Sequence, residues 1–291
     1  MFDIRKESRG YIAHGVSACA GCGMELIIRN VLDILGQDTT VVIPPGCSAL
    51  FCGFGRETGM RVSAFQGNLE TSAAYAAGIK AGYEVQGNSH TTVVAYAGDG
   101  GTLDIGLQAL SGMMGRGDDV LYICYDNEAY MNTGIQGSSA TPLGAWTTTT
   151  PVGKPVYKKD LMGIAMAHGI PYCATASVAN IPDLRRKVKK AKDIHGPRLL
   201  HIYCPCPTGW GYAPAKSIEV SKNAVQTGAW VLYECAFGKV TVNVKPKELQ
   251  AIETYTDMQN RFRGLTAAEK AQIQAEVRQA YAKILTLEQA Q

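Results

Sequence analysis

The chain has 291 residues, 46% of them hydrophobic and only 18% charged, enough for one large globular core or two modest ones, which excludes disorder over most of its length. A net charge of +3, from 28 basic and 25 acidic residues, is too balanced for a chain that lives on nucleic acid. No apolar run approaches the ~20 residues of a membrane span, and the charged stretch Met1–Gly15 has no hydrophobic signal core behind it, so a soluble, cytoplasmic protein is expected.

From residue 22 to about 205, short β-branched runs alternate with longer helical stretches. Residues 23–36 place Leu26, Ile27, Val31, Ile34 and Leu35 at helical spacing and stop at Gly36, a glycine C-cap. A strand is expected at 39–43, another near Arg61–Ala64, a helix over 69–84, and a strand at 91–97 whose apolar run suits a position buried on both faces. Then follow a helix near 103–114, a strand at 120–125, a long loop over 126–158, a helix near 160–168, a strand at 171–175, a helix near 181–194 and a strand at 198–203. The pattern implies an α/β fold with five or six parallel strands covered by helices on both faces. Two regions are expected: 1–207 as the α/β domain, and 208–291 as a C-terminal arm and helices packing on the core or on a partner subunit. Residues 209–245 read as an arm over the core. Thr266 and Glu269 make a capping box, and behind them Ile273, Val277, Tyr281, Ile284 and Leu285 form a helical stripe. The basic run of Arg185, Arg186, Lys187, Lys189, Lys190 and Lys192 reads as a solvated face, with docking of an acidic partner as the alternative.

Glycine is enriched, 32 of 291 against a usual ~7%, and it gathers at turns, as suits backbone that approaches a phosphate-bearing ligand. The strand ending at Ala97 runs into Gly98-Asp99-Gly100-Gly101, and the next ends in Tyr125-Asp126-Asn127-Glu128-Ala129. Both turns fall at the carboxyl edge of a parallel sheet, where ligands bind. Magnesium takes hard oxygen ligands and shares them with substrate phosphates. Asp99, the Asn127 amide oxygen and the Ala129 carbonyl would supply three, diphosphate two, and water the sixth. Gly98, Gly100 and Gly101 admit the diphosphate, and the helix starting near Thr102 turns its amides toward it. GDG followed after 26 residues by Asn is the motif of thiamine-diphosphate enzymes; the bland alternative is a structural turn.

Nine cysteines without a secretory signal argue for ligation or burial rather than disulfides. Cys19 and Cys22 share one short turn, Cys47 follows the second element, and Cys206 follows the last strand, so four sulfurs converge on one sheet edge. Spacing alone leaves zinc and an iron–sulfur cluster about even, with a redox disulfide third. Cys204 rivals Cys206, Cys52 and Cys235 are open, and Cys124 and Cys173 read as small core residues.

CAGCG at 19–23, Gly46-Cys47, the run 98–145 with YDNEAYMNTG, CPC at 204–206 and QNRFRGLT at 259–266 together resemble the β subunit of 2-oxoacid:ferredoxin oxidoreductases, over nearly the whole chain. The resemblance implies a thiamine-diphosphate-binding fold, a [4Fe–4S] cluster on Cys19, Cys22, Cys47 and Cys206, and Mg2+ held by Asp99, Asn127 and the Ala129 carbonyl. It also implies that Asn132 reaches toward the substrate, and Glu25, directly behind the cluster motif, is expected to border the cofactor. Val16 stands where family members often carry His, so no role passes to His14. The implied reaction is oxidative decarboxylation of a small 2-oxoacid, with electrons passing through the cluster to ferredoxin. Other subunits supply the aminopyrimidine side of the cofactor and further clusters.

The stretch 46–70 differs from the pyruvate enzymes, resembles the oxalate branch more, and carries Arg56 and Arg61, which could favour a dianion. Oxalate is therefore expected, with pyruvate as the alternative; only a pyruvate-like substrate would need coenzyme A. Two rivals come from other classes: a non-redox thiamine-dependent decarboxylase, which leaves the four cysteines idle, and an electron-transfer or zinc module, which leaves the GDG crevice idle.

Overall fold

The computed structural model describes residues 10–52 and 58–290. Helix α1 (Gly23–Leu35) leads into β1 (Thr39–Ile43), the short α2 (Ala49–Cys52), β2 (Ser63–Gln66), α3 (Ser72–Val85) and β3 (Thr92–Gly98). A π-helical turn (Gly100–Asp104) precedes α4 (Leu107–Arg116), β4 (Leu121–Asp126), α5 (Leu161–Ala167), β5 (Tyr172–Ser177), α6 (Ile181–Asp193) and β6 (Arg198–Tyr203). The chain closes with α7 (Pro207–Trp210), α8 (Ser217–Thr227), β7 (Tyr233–Ala236), β8 (Lys239–Val242), α9 (Glu253–Thr256) and α10 (Ala267–Gln289).

The sheet order is β2-β1-β3-β4-β6-β5-β7-β8. The first six strands are parallel, as expected. β7 runs antiparallel to β5 and β8 antiparallel to β7, which corrects the reading of 209–245 as an arm: residues 233–242 extend the sheet itself. The hairpin was hidden because its strands are four residues each and the first carries a buried glutamate.

One apolar layer, on α1 and α6, covers one face through Ile27, Ile28, Val31, Leu32, Leu184 and Val188; the other, on α3 to α5, covers the opposite face through Ala76, Leu110, Met113 and Leu161. β4 is buried along its whole length, which fits a central position. Each Leu or Ile so buried contributes about 1.5–3 kcal/mol. Thr266 and Glu269 do form the capping box of α10. Its Ile273 and Val277 rest half-buried on a third apolar cluster under the C-terminal segment, while Ile284 and Leu285 rest on the second.

The basic run on α6 is largely engaged within the chain. Arg185 pairs with Asp33, Arg186 and Lys190 with Glu234, Lys187 is buried against Asp183, and Lys192 donates to the carbonyls of Ile34 and Leu35.

Glu234 ties β7 to α6. Its carboxylate accepts from Tyr172 Oη at 2.7 Å, Arg186 at 3.1 Å and Lys190 at 3.3 Å. Burial opposes its ionisation, but the tyrosine and the two cations outweigh that and hold its pKa at about 2. A folded pKa below the unfolded value of ~4.3 means that this stabilisation is present above the unfolded pKa and is lost as pH falls toward the folded one. Glu234→Gln should cost about 1–3 kcal/mol at pH 7 and make unfolding less acid-sensitive between pH ~4.5 and ~2. Denaturant titrations across that window check it; an unchanged acid slope would count against the clamp.

Candidate active site

β1, β3 and β4 end side by side, and the segments beyond them form a cleft lined by Pro44, Gly46, Cys47, Gly98, Asp99, Gly100, Gly101, Asn127, Ala129 and Asn132. Asp99, Asn127, Ala129 and Asn132 thus line one cleft. The glycine after Asp99 is required by contact: a Cβ on Gly100 would lie 2.4 Å from the Tyr130 ring, whose hydroxyl donates to the Gly100 carbonyl at 3.1 Å. The turn is π-helical rather than the ordinary helix start expected near Thr102, and its i→i+5 pattern leaves one more backbone amide without an intrahelical partner than an α-helix does.

Strand alternation sends Asp126 and Glu128 to one side and Asn127 to the other. The end of the Asn127 side-chain amide lies 2.8 Å from the Ala129 carbonyl oxygen and 2.9 Å from Asp99 Oδ1. With the amide oxygen turned toward them, three acceptor oxygens would meet and repel unless something positive joined them. An octahedral magnesium shell with bonds of about 2.1 Å puts adjacent oxygens about 2.9 Å apart, so the residues fit that ion. Rotated by 180°, the amide would instead donate its nitrogen to both oxygens, so one torsion separates a cation-ready site from a closed one. Asp99 is fully buried and is held by the Ser138 hydroxyl at 2.5 Å. Burial, and then Asp126, push its pKa well above the usual range.

Glu128 adopts a left-handed backbone (φ 65°), uncommon for a residue with a side chain, and this reversal turns the Ala129 carbonyl back toward Asn127. Beneath the turn lies a buried charge network. Lys158 reaches Glu128 at 2.6 Å and Asp126 at 3.2 Å, His201 meets Asp126 at 2.8 Å, and Arg261 pairs with Glu128 at 2.5 Å. Burial alone would raise the Asp126 pKa, but Lys158 and His201 outweigh it and hold it at about 2. Trp210 Nε1 donates to the Asn127 carbonyl at 2.8 Å, and Arg261 lies 3.9 Å over the Trp210 ring. The sequence reading assigned no role to Lys158, His201, Trp210 or Arg261; the QNRFRGLT motif that holds Arg261 was the available signal.

The cysteines gather beside this cleft. Tyr96 donates to the Met24 carbonyl at 2.9 Å and Tyr125 to Ser48 Oγ at 2.9 Å, so two tyrosines from β3 and β4, in tilted ring contact, hold the loops of Cys22 and Cys47. Cys22 caps α1 and Cys206 caps α7, where Gly209 N donates to its sulfur at 3.3 Å. A hydrogen bond from Cys204, opposed by burial and aided by the Met24 and Glu25 amides, brings the Cys22 thiol down to about 7. Burial raises Cys47 to about 12 and Cys206 to about 11; charges on Cys206, Cys22 and Cys19 add to the first. Cys204 is completely buried and serves as a thiol donor to Cys22. Cys124 and Cys173 are core residues, as expected. Among the described residues no three of His, Cys, Asp or Glu close around a single ion; a cubane spaces its cysteines more widely than one ion does.

Two expected residues fall elsewhere. Glu25 does not line the cleft: Arg29 takes its carboxylate at 2.6 Å and also binds the Ile12 and Ala13 carbonyls, so the pair fastens the segment before the cysteine turn. Arg61 is not among the cleft residues either, and its backbone amide bonds the Tyr11 carbonyl at 2.9 Å; Arg56 lies outside the described residues.

Residues 45–202 match the family described as thiamine pyrophosphate enzyme, C-terminal TPP binding domain. The pyruvate synthase subunit PorB of Methanothermobacter thermautotrophicus is 46% identical over 91% of this chain and 93% of its own length. The ketoisovalerate oxidoreductase subunit VorB of Pyrococcus abyssi is 48% identical over 87% and 85%. The chain belongs to the β subunits of the 2-oxoacid:ferredoxin oxidoreductases. A 2-oxoglutarate:ferredoxin oxidoreductase structure from Magnetococcus marinus superposes on 69% of each chain with a TM-score of 0.61 at 22% identity, a likeness of fold. As a β subunit of this family the chain is part of a multi-subunit oxidoreductase. Among the described residues no helix is long and apolar enough to cross a membrane.

Proposed function

We propose that the cleft holds magnesium thiamine diphosphate and that the complex oxidatively decarboxylates pyruvate, conserving the acyl unit on coenzyme A and passing electrons to ferredoxin. The reading rests above all on the meeting of Asp99 Oδ1, the Asn127 side-chain amide and the Ala129 carbonyl. Asp99, Asn127 and Ala129 would ligate the cation, Gly98, Gly100 and Gly101 would admit the diphosphate, and Asn132 would face the substrate. Cys19, Cys22, Cys47 and Cys206 would carry a [4Fe–4S] cluster beside them. Thiamine diphosphate supplies the electron sink for decarboxylation when bound. The chain's own contribution is to neutralise diphosphate charge, hold the cofactor against the cysteine-bearing loops and exclude water with buried Tyr96 and Tyr125.

Pyruvate is favoured over the oxalate expected from residues 46–70. Relatives sharing 46–48% identity bear names for pyruvate and ketoisovalerate chemistry, and Arg61, one of the two arginines behind the oxalate expectation, does not line the cleft. The test is viologen or ferredoxin reduction by the whole complex with pyruvate, ketoisovalerate or oxalate, with and without coenzyme A. Rapid, coenzyme A-dependent reduction with pyruvate is expected. Coenzyme A-independent reduction by oxalate would restore the first expectation, and preference for ketoisovalerate would move the substrate to a branched acid.

A further inference from the structure

We propose that Arg261 is a positioning residue for the cation, acting through Glu128 from the far end of the chain. The inference rests on reading the cleft as a magnesium–diphosphate site. Glu128 lies between two of the residues whose oxygens would ligate the ion, and its left-handed backbone must be held against the preference of a residue with a Cβ. Three contacts hold it: Arg261 and Lys158 on the carboxylate, and Thr141 Oγ1 donating to its carbonyl at 2.6 Å. Arg261 does more than neutralise charge. It is buried, its Nε donates to Gln259 Oε1 at 2.9 Å, it bonds Tyr255 Oη at 3.0 Å, and its plane lies over Trp210, whose indole bonds the Asn127 carbonyl. One guanidinium therefore touches residues that bracket Asn127 on both sides. Displacing it frees Glu128 to relax, and the Ala129 carbonyl and Asn127 amide drift out of register with Asp99. Lysine keeps the charge but cannot hold the carboxylate and cover the indole together.

The experiment uses the assembled complex, stripped of cofactor. At fixed thiamine diphosphate, the magnesium concentration giving half-saturation of cofactor binding is measured by calorimetry for wild type, Arg261→Lys, Arg261→Met, Glu128→Gln, Glu128→Gln/Arg261→Met and Asp99→Ala; thermal unfolding is recorded without metal or cofactor. Arg261→Met should raise the magnesium requirement at least tenfold and Arg261→Lys several-fold. In the Glu128→Gln background the Arg261→Met change should add less than threefold, because the path runs through that carboxylate. A merely structural role would lower the melting temperature and the bound fraction but leave the magnesium requirement in place. Arg261→Lys and Arg261→Met within twofold of wild type, while Asp99→Ala loses binding, would overturn the positioning role alone. Full additivity in the Glu128→Gln background would overturn the path. An unchanged requirement in Asp99→Ala would overturn the cation reading itself.

Discussion

Asp99→Ala should weaken magnesium-dependent thiamine diphosphate binding by the complex at least 100-fold, about 2.7 kcal/mol or more. Of the three groups only Asp99 can carry a formal negative charge to the cation, and it is buried. Without it the diphosphate enters the cleft with its charge poorly neutralised, and the Ser138 hydroxyl loses its acceptor. Asp99→Asn separates these effects: it keeps an acceptor for Ser138 but lacks the charge, so it should resemble Asp99→Ala in magnesium dependence while remaining nearer wild type in thermal stability. Asp99 makes no hydrogen bond to a cysteine of this edge, so iron content should be unaltered. Normal cofactor occupancy in both variants would dismiss the metal reading of the cleft.

The second large effect concerns the sulfurs. Cys47→Ala and Cys206→Ala should each abolish the broad visible absorption of an anaerobically purified complex that is attributable to this subunit, with loss of about four iron and four sulfide. Cys204→Ala is the informative partner experiment. Cys204 is sealed in the core and hydrogen-bonds Cys22, whereas Cys206 is only partly covered and its sulfur already accepts from the Gly209 amide. The alanine variant at 204 should keep its iron and at most make the cluster more labile. If 204 proves indispensable and 206 does not, the fourth ligand has been misassigned by two residues along one turn.

Much of this arrangement was legible in the sequence. The apolar run over 91–97 and the alternation through residue 203 foretold a parallel sheet because a strand buried on both faces needs apolar side chains on both. Asp99 and Asn127 could be paired across a crevice because neighbouring parallel strands end at one edge. What escaped had a common cause: its determinants lie far apart in sequence. The β7–β8 hairpin finds its place only by pairing with β5, and its Glu234 reads as a strand breaker until Tyr172, Arg186 and Lys190 surround it. Lys158, His201 and Arg261 carry no local pattern that ties them to Glu128 and Asp126. The Glu25–Arg29 pair was also overlooked: nearness to the cysteine turn along the chain suggested the cofactor, while the local partner stands one helical turn on.

The late arrival of Trp210 and Arg261 has a consequence for biosynthesis. The strands that end in Asp99 and Asn127 are made early, but the ionic and aromatic partners of that loop lie as far along as residue 261. A polypeptide still being translated can therefore assemble much of the parallel sheet while its cofactor loop remains unset. Folding back of the last segment is then what brings Trp210 and Arg261 against the turn that carries Asn127 and Glu128.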